Sequence, residues 1–201
     1  MPAGLERLAI ASHNPHKLRE LARICGDWPV AWVTVTDPAG AELPDVEETG
    51  ETYLDNAALK ARATAEAVGI PAIADDSGIE VDALGGKPGP RSARYAGPNA
   101  TDEENLATMI AALKGIPAAG RSARYRCVAA LASPGGELVW AEGLCEGTLV
   151  ARGRGDRGFG YDPIFVPEGW DTTMAELTDE QKDRISHRGR AFRALRGLAF
   201  P

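Results

Sequence analysis

Near its start the chain reads Arg7-Leu8-Ala9-Ile10-Ala11-Ser12-His13-Asn14-Pro15-His16-Lys17. Residues 7–12 are a short apolar run of small and branched side chains, Asn14 is a good N-cap, and Pro15 already has the φ of a first helical turn. The pattern predicts strand, turn, helix. The helix would continue to about residue 26, with Leu18, Leu21, Ala22 and Cys25 at i, i+3, i+4 and i+7 as its buried stripe.

Working outward, residues 31–36 alternate as a strand, and a Pro- and acid-rich loop leads to Thr49-Gly50. A long helix fits residues 51–68, with Leu54, Ala57, Ala58, Ala61 and Ala65 on its apolar face and Thr52, Asn56 and Lys60 sharing another. Residues 71–75 read as a buried strand ending in Asp75-Asp76-Ser77-Gly78, with 79–84 as its continuation or partner. A helix fits 102–114, with Leu106, Met109, Ile110 and Leu113 on one side. Two long strands, 124–132 and 137–150, meet at Pro134-Gly135-Gly136 as a hairpin, and a short strand fits 164–166. Thr178-Asp179-Glu180-Gln181 is a capping-box helix start, and Ser186 can cap a last helix whose stripe is Phe192, Leu195 and Leu198. Strands alternate with helices early and pair as a hairpin later. The expected fold is therefore α/β, with a mixed, twisted sheet and flanking helices. No linker separates two domains, so residues 1–201 read as a single domain, in which the middle hairpin (about 121–150) contributes to any second lobe.

The composition suits a folded, water-soluble chain: 201 residues, 44% hydrophobic and 25% charged. No run approaches the roughly 18 apolar residues of a membrane span. The N-terminus lacks a basic start and a small-residue cleavage site, so a cytoplasmic protein without membrane contact is expected. Cys25, Cys127 and Cys145 are odd in number and widely spaced, which suggests buried thiols rather than disulfides or a cysteine zinc site. A net charge of −7 argues against nucleic-acid binding, because a phosphate backbone needs a basic surface. The charge is unevenly distributed. Residues 37–56 carry seven carboxylates and no Lys or Arg, whereas 184–196 carry five arginines, a histidine and no carboxylate. Such opposed segments suit a metal-and-phosphate site, although solvated faces also produce them.

Several constellations could carry chemistry. Ser12-His13-Asn14-Pro15-His16-Lys17, where a strand gives way to a helix, offers backbone N–H groups, the positive helix end and a lysine to an anion, or is simply a capped helix start. His13 and His16 lack the further ligands of a metal site and read as loop histidines. Asp75-Asp76 and Glu47-Glu48 would offer oxygens to a hard cation such as Mg²⁺, which takes one or two carboxylates plus substrate phosphates; a plain turn is the alternative. Lys60 is either an exposed helix lysine or a partner of Asn56 in a site. His187 and Arg188 sit in the first turn of the last helix, where the macrodipole disfavours cations, and binding an acceptor or anion would explain them. Phe159, between Gly158 and Gly160, is either a base-stacking platform or a loop aromatic packed inward.

Taken in order, these motifs resemble the inosine/xanthosine triphosphate pyrophosphatase family. The resemblance spans nearly the whole chain and rests on Ser12-x-Asn14-x-x-Lys17, Glu47-Glu48-Thr49-Gly50, Asn56-Ala57-x-x-Lys60-Ala61, Ala74-Asp75-Asp76-Ser77-Gly78 and Leu84-Gly85-Gly86-x-Pro88-Gly89. It continues through Ser92-Ala93-Arg94-Tyr95, Gly158-Phe159-Gly160-Tyr161-Asp162-Pro163-Ile164-Phe165, and Ala175-Glu176-Leu177 leading to Lys182 and Ile185-Ser186-His187-Arg188-Gly189. The family often has Thr-Gly-Asn where this chain has Ser12-His13-Asn14, a change that keeps the hydroxyl and places a side chain where glycine stands.

The resemblance implies an elongated two-lobed fold with the nucleotide in the cleft between lobes, usually as a homodimer. It implies hydrolysis of ITP, dITP and XTP to the monophosphate and pyrophosphate, removing non-standard purines from the nucleotide pool. Residue by residue, it puts Ser12, His13, Asn14, Pro15, His16 and Lys17 on the triphosphate, Lys60 on its charge, and Glu48 and Asp76 around Mg²⁺. Asp76 is also the expected proton acceptor for water. Ser77 would contact substrate, Phe159, Gly160, Tyr161, Asp162 and Lys182 would hold the nucleoside, and His187 and Arg188 would read the base. Two rivals remain: a Maf-type pyrophosphatase, against which the Phe159 loop and Ser186-His187-Arg188 count, and a non-catalytic nucleotide- or RNA-binding module using Arg121-Ser122-Ala123-Arg124-Tyr125-Arg126.

Overall fold

The computed structural model describes residues 5–35 and 43–200. Among them six strands, β1 (Arg7–Ile10), β2 (Ala31–Val33), β3 (Ala72–Val81), β4 (Ser122–Ala132), β5 (Leu138–Leu149) and β6 (Phe165–Pro167), join in the order β2-β1-β3-β4-β5-β6. Five helices accompany them: α1 (Pro15–Ile24), α2 (Tyr53–Val68), α3 (Asp102–Ala112), α4 (Asp179–Ile185) and α5 (His187–Ala199). β1 is parallel to β2 and β3, and β5 is antiparallel to β6, so the sheet is mixed and the α/β class is as expected. Parallel neighbours need crossover connections, and α1 and α2 supply them. β4 and β5 meet in a tight turn, where the Ser133 N–H donates to the Glu137 carbonyl at 3.0 Å and the Gly136 N–H to the Ser133 carbonyl at 2.9 Å.

The chain forms two compact units. The first contains the chain up to Asp76, Cys127–Gly143 and the residues from Arg188 on; the second contains Ser77–Arg126 and Leu144–His187. The middle hairpin is shared, its turn end in the first unit and its open end in the second.

In the first unit, strand alternation sorts side chains between two cores. Leu8 and Ile10 of β1, Ile73 of β3 and Cys127, Ala129 and Leu131 of β4 join Leu21 and Cys25 of the α1 segment and Ala191, Phe192, Leu195 and Ala199 of α5. The intervening residues Ala9, Ala72, Ala74, Val128 and Ala130 join Ala57, Ala61 and Ala65 of α2. Alanine on both sides of that second core lets the helix lie close to the sheet. The second unit has its own core of Ile79, Val81, Met109, Leu113, Tyr125, Cys145, Tyr161, Ile164, Phe165 and Met174 among others.

Some local expectations change. β3 is one uninterrupted strand, so Asp75 and Asp76 lie within it and not at a strand end or turn. α2 begins at Tyr53, because Thr52 caps it in a reciprocal box with Asp55. Ala22 is exposed. At about 100° per residue it lies well round from Leu21, whereas Leu18 and Ile24 flank that residue and pack against the core. Leu198 is 51% exposed, its place in the α5 stripe taken by Ala199. β2 stops at Val33; Thr36, its expected last residue, and the first part of the acid-rich loop lie outside the described residues.

Candidate active site

In the first unit the helix start behaves as a cap. The Asn14 side-chain oxygen accepts the N–H groups of His16 at 2.8 Å and Lys17 at 3.2 Å, and the Ser12 hydroxyl accepts the Asn14 N–H at 3.3 Å. Two first-turn donors are thus used by the cap, and the Lys17 side chain is the main cationic group this turn offers. His13, Asn14, Pro15 and His16 are exposed and Ser12 is half-buried; His16 Nδ1 meets Arg19 Nη2 at 2.9 Å, as suits a surface histidine.

Strand alternation gives the adjacent aspartates separate surroundings. Asp75 shares the face of Ile73, toward α1 and α5, where its carboxylate meets Lys17 Nζ at 3.1 Å and Arg188 Nη2 at 3.2 Å. Burial pushes the Asp75 carboxyl up, but the charges of Lys17, Arg188 and Lys60 outweigh it and hold the group well below the usual carboxylate range. Arg188 is only 2% exposed, and its guanidinium also bonds Glu20 of α1, itself buried. Burial lowers and these carboxylates raise its affinity for the proton, leaving a permanent buried cation.

Asp76 shares the face of Ala72 and Ala74, toward α2. Asn56, fully buried, donates from Nδ2 to Asp76 Oδ2 at 2.9 Å and accepts the Gly50 N–H at 2.8 Å. A Cβ on Gly50 would come within 2.7 Å of that Asn56 oxygen, so only glycine lets the Glu47–Gly50 loop approach so closely. One helical turn beyond Asn56, Lys60 Nζ lies 2.5 Å from Glu48 Oε1. Burial raises the Asp76 carboxyl and the Glu48 charge adds to it, while Lys17, Lys60 and the Asn56 hydrogen bond oppose. Burial works against the Lys60 cation, but Glu48, Asp75 and Asp76 more than compensate. Asp76, Glu48, Lys60 and Lys17 therefore form an electrostatically coupled group of two carboxylates and two ammonium ions.

Glu48 and Asp76 are the carboxylates that could hold a hard cation such as Mg²⁺. Glu48 and Asp76 are hard oxygen donors that repel one another, and among the described residues no three His, Cys, Asp or Glu side chains converge on a metal by themselves. An ion that takes one or two protein carboxylates and completes its shell from substrate phosphates and water suits such a pair.

The second unit carries the other expected residues. Buried Asp162 accepts Lys182 Nζ at 2.6 Å and the Phe159 N–H at 3.0 Å on Oδ2, and the Tyr125 hydroxyl at 3.2 Å on Oδ1. Gly158 has φ +73°, and a Cβ there would fall 2.1 Å from Asp162 Oδ2, so glycine is required for the loop to fold over the carboxylate. Lys182 Nζ lies 5.0 Å from the centre of the half-buried Phe159 ring. The Gly160 N–H donates to Asp102 Oδ2 at 3.1 Å. Tyr161 is a core residue, its hydroxyl donating to the Ser92 carbonyl at 2.8 Å. The His187 imidazole stacks on Tyr125, with centroids 4.6 Å apart and planes 9° from parallel. Ser77, next after Asp76 on β3, is half-buried.

The structure thus groups Lys17, Glu48, Lys60 and Asp76 in the first unit, and Phe159, Asp162, Lys182 and His187 in the second. Arg188 differs from its expected setting, its guanidinium closing on Glu20 and Asp75 of the first unit. Sequence reasoning missed Glu20 and Tyr125, weighed Asp75 only as a possible cation ligand beside Asp76, and weighed Asn56 only as a companion of Lys60. Asn56 carried a signal, being a polar residue four before Lys60 on an otherwise alanine-rich helix, and so did Tyr125, which alternates with Ala123 and Cys127 on the inward face of β4. Glu20 carried none. The arginines of the 121–126 segment are engaged, Arg124 with Asp82 and Glu146, Arg126 with Glu80, and Arg121 with the Ile116 carbonyl, which weakens an RNA-binding reading.

The sequence model of the Ham1 family matches residues 8–198. A dITP/XTP pyrophosphatase of Streptomyces coelicolor is 49% identical over 191 residues, covering 95% of this chain and 96% of that protein. One from Bacillus subtilis is 43% identical over 194 residues, covering 96% and 97%. Among solved structures, a HAM1 protein from Coxiella burnetii superposes with a TM-score of 0.86 at 39% identity, covering 96% of this chain and 98% of that one. A nucleoside-triphosphatase / dITP/XTP pyrophosphatase from Mycobacterium abscessus gives 0.74 at 46% identity, covering 94% and 98%. With nearly every residue inside these matches and the expected motifs assembled in its two units, the chain belongs to the Ham1 family.

Proposed function

We propose that the protein is a Mg-dependent nucleoside triphosphate pyrophosphohydrolase that converts ITP, dITP and XTP to the monophosphate and pyrophosphate. The observation that carries the reading is the coupled group of Asp76, Glu48, Lys60 and Lys17, in a chain 49% identical to a dITP/XTP pyrophosphatase. Water attacks the α-phosphorus, a new P–O bond forms as the α–β bridging bond breaks, and pyrophosphate leaves. Asp76, oriented by Asn56, accepts the proton lost by the water. Lys60 and Lys17 meet the negative charge of the phosphates. Both lysines already have carboxylate partners, so each ammonium is held in place before substrate arrives. Glu48 and Asp76 would hold Mg²⁺, which supplies charge neutralisation for the departing pyrophosphate.

The nucleoside falls to the second unit. Phe159 offers a ring face, Asp162 and Lys182 polar contacts, and His187 donors to an oxygen at purine C6. Adenine presents an amino group there, and opposing donors to donors leaves buried groups unpaired, a mismatch worth about 10⁴-fold or more in sites built for a hydrogen bond. Three free, buried cysteines suit a reducing cytoplasm, and a homodimer follows from the resemblance and the frequency of two-fold assemblies.

The deciding experiment is product analysis with ITP, XTP, dITP and ATP, with and without Mg²⁺. Monophosphate plus pyrophosphate from the first three is expected; diphosphate plus orthophosphate would refute attack at the α-phosphorus. Turnover of UTP or TTP above ITP would instead favour the Maf-type reading, and sedimentation of only a 21.2 kDa species would refute the dimer.

A further inference from the structure

Tyr125 stands where the nucleoside-side residues of the second unit meet. It lies on β4 beyond the residues expected to act, is buried, and touches two of them in different ways. Its ring lies flat on the His187 imidazole, 4.6 Å away and 9° from parallel, while its hydroxyl donates to Asp162 Oδ1 at 3.2 Å. Behind it, Phe165 packs at 4.7 Å with a tilt of 55°. Asp162 in turn holds Lys182 and the Phe159 N–H on its other oxygen. One side chain on β4 therefore connects the first turn of α5 with the 158–162 loop.

We propose that Tyr125 is a positioning residue for base selection, its ring setting the plane of the His187 imidazole and its hydroxyl setting the Asp162 carboxylate; this rests on His187 reading the base. The physical case has two parts. Stacking holds the imidazole in one plane and its bond to Cβ fixes its setting within that plane, so the direction of an N–H donor is set before a base arrives. A preset donor discriminates better than a mobile one, because a rotating ring can turn away from the wrong partner and avoid the penalty of an unpaired buried group. The hydroxyl acts separately. A second oxygen of a buried carboxylate needs its own donor, and with Tyr125 supplying it, Lys182 and the Phe159 N–H keep their places on Oδ2. Packing alone would be served by phenylalanine, as at Phe165 beside it.

Two variants separate these parts. Tyr125→Phe keeps the stack and loses the hydroxyl: KM should rise about threefold to tenfold for ITP and ATP alike, kcat should move less, and the ITP/ATP ratio of kcat/KM should hold, as for one lost hydrogen bond. Tyr125→Leu removes the ring: the ITP/ATP ratio should fall by about tenfold or more, as when an oriented donor is lost. Proton NMR of the imidazoles checks the geometry without turnover, since the His187 ring protons should lie upfield in the wild type and in Tyr125→Phe and return toward ordinary positions in Tyr125→Leu. An unchanged ratio in Tyr125→Leu, beside a wild type that prefers ITP, overturns the proposal and leaves the functional reading intact. Unaltered KM values in Tyr125→Phe, or a His187 signal indifferent to both changes, also overturn it. A wild-type enzyme with no preference for ITP over ATP overturns the base reading, and the role of Tyr125 with it.

Discussion

Asp75 and Asp76 are consecutive on β3 and face opposite sides of the sheet, Asp75 toward Lys17 of α1 and Arg188 of α5, Asp76 toward Asn56 of α2. The two-residue period of a strand separates them by geometry alone. The same geometry gives them opposite electrostatics: Lys17, Arg188 and Lys60 hold the buried Asp75 ionised, whereas burial and the nearby Glu48 raise Asp76. Cations thus dominate the surroundings of Asp75, whereas burial and a neighbouring carboxylate dominate those of Asp76.

Asp76→Asn should fold, because an amide oxygen at that position can still accept from Asn56 Nδ2. It should lose turnover of ITP by about 10²- to 10⁴-fold, the range associated with removing a general base. Steady-state kinetics beside a thermal melt decides the matter. Near-normal kcat in a well-folded variant would remove Asp76 from the mechanism.

Asn56→Ala leaves both the Gly50 N–H and the Asp76 carboxylate short of a partner in a buried place. A stability loss of about 1–3 kcal/mol is expected for such orphaned groups, together with a lower kcat as Asp76 loses its orientation. Urea denaturation gives the first quantity and initial rates the second. If stability falls while kcat stays at the wild-type value, Asn56 serves only the fold.

Arg188→Ala should destabilise more than any of these, by about 3–5 kcal/mol, since it takes a buried cation from between two buried carboxylates, Asp75 and Glu20. Chemical denaturation of the variant is the measurement. A stable Arg188→Ala protein whose only defect is a reduced ITP/ATP ratio would return Arg188 to reading the base.

The three cysteines should resist thiol reagents in the native state. All are buried, and burial pushes the Cys25 and Cys127 thiols far above their ordinary range, with Asp27 and Asp75 adding to burial at Cys25 and Asp75 at Cys127. A raised pKa means less thiolate at a given pH, and thiolate is the reacting species. Labelling by a disulfide reagent at pH 8 should be slow in buffer and reach three equivalents only in denaturant. Rapid labelling of a folded sample would contradict this.

The sequence by itself determined the order of elements and the family. Asn14 with Pro15, Thr178 with Gln181 and the alanines of α2 act through neighbours a few residues away, so capping and periodicity reveal them, and the recurring motifs bring along the residues of both groups. It could not tell a turn from a strand at Asp75-Asp76, because paired acids before Ser-Gly suit either until the pairing of β3 with β1 makes the segment continuous. Tertiary structure alone decided the partners of buried charge. Arg188 stood out as a first-turn cation awaiting an acceptor, but only the fold supplied Glu20 and Asp75, which are 168 and 113 residues away along the chain. Tyr125 likewise met Asp162 and His187 only when β4, the 158–162 loop and the start of α5 came together. Local chemistry is written in spacing, whereas desolvation and long-range pairing belong to the folded chain, because a charge loses its water and needs a partner only once the core closes around it.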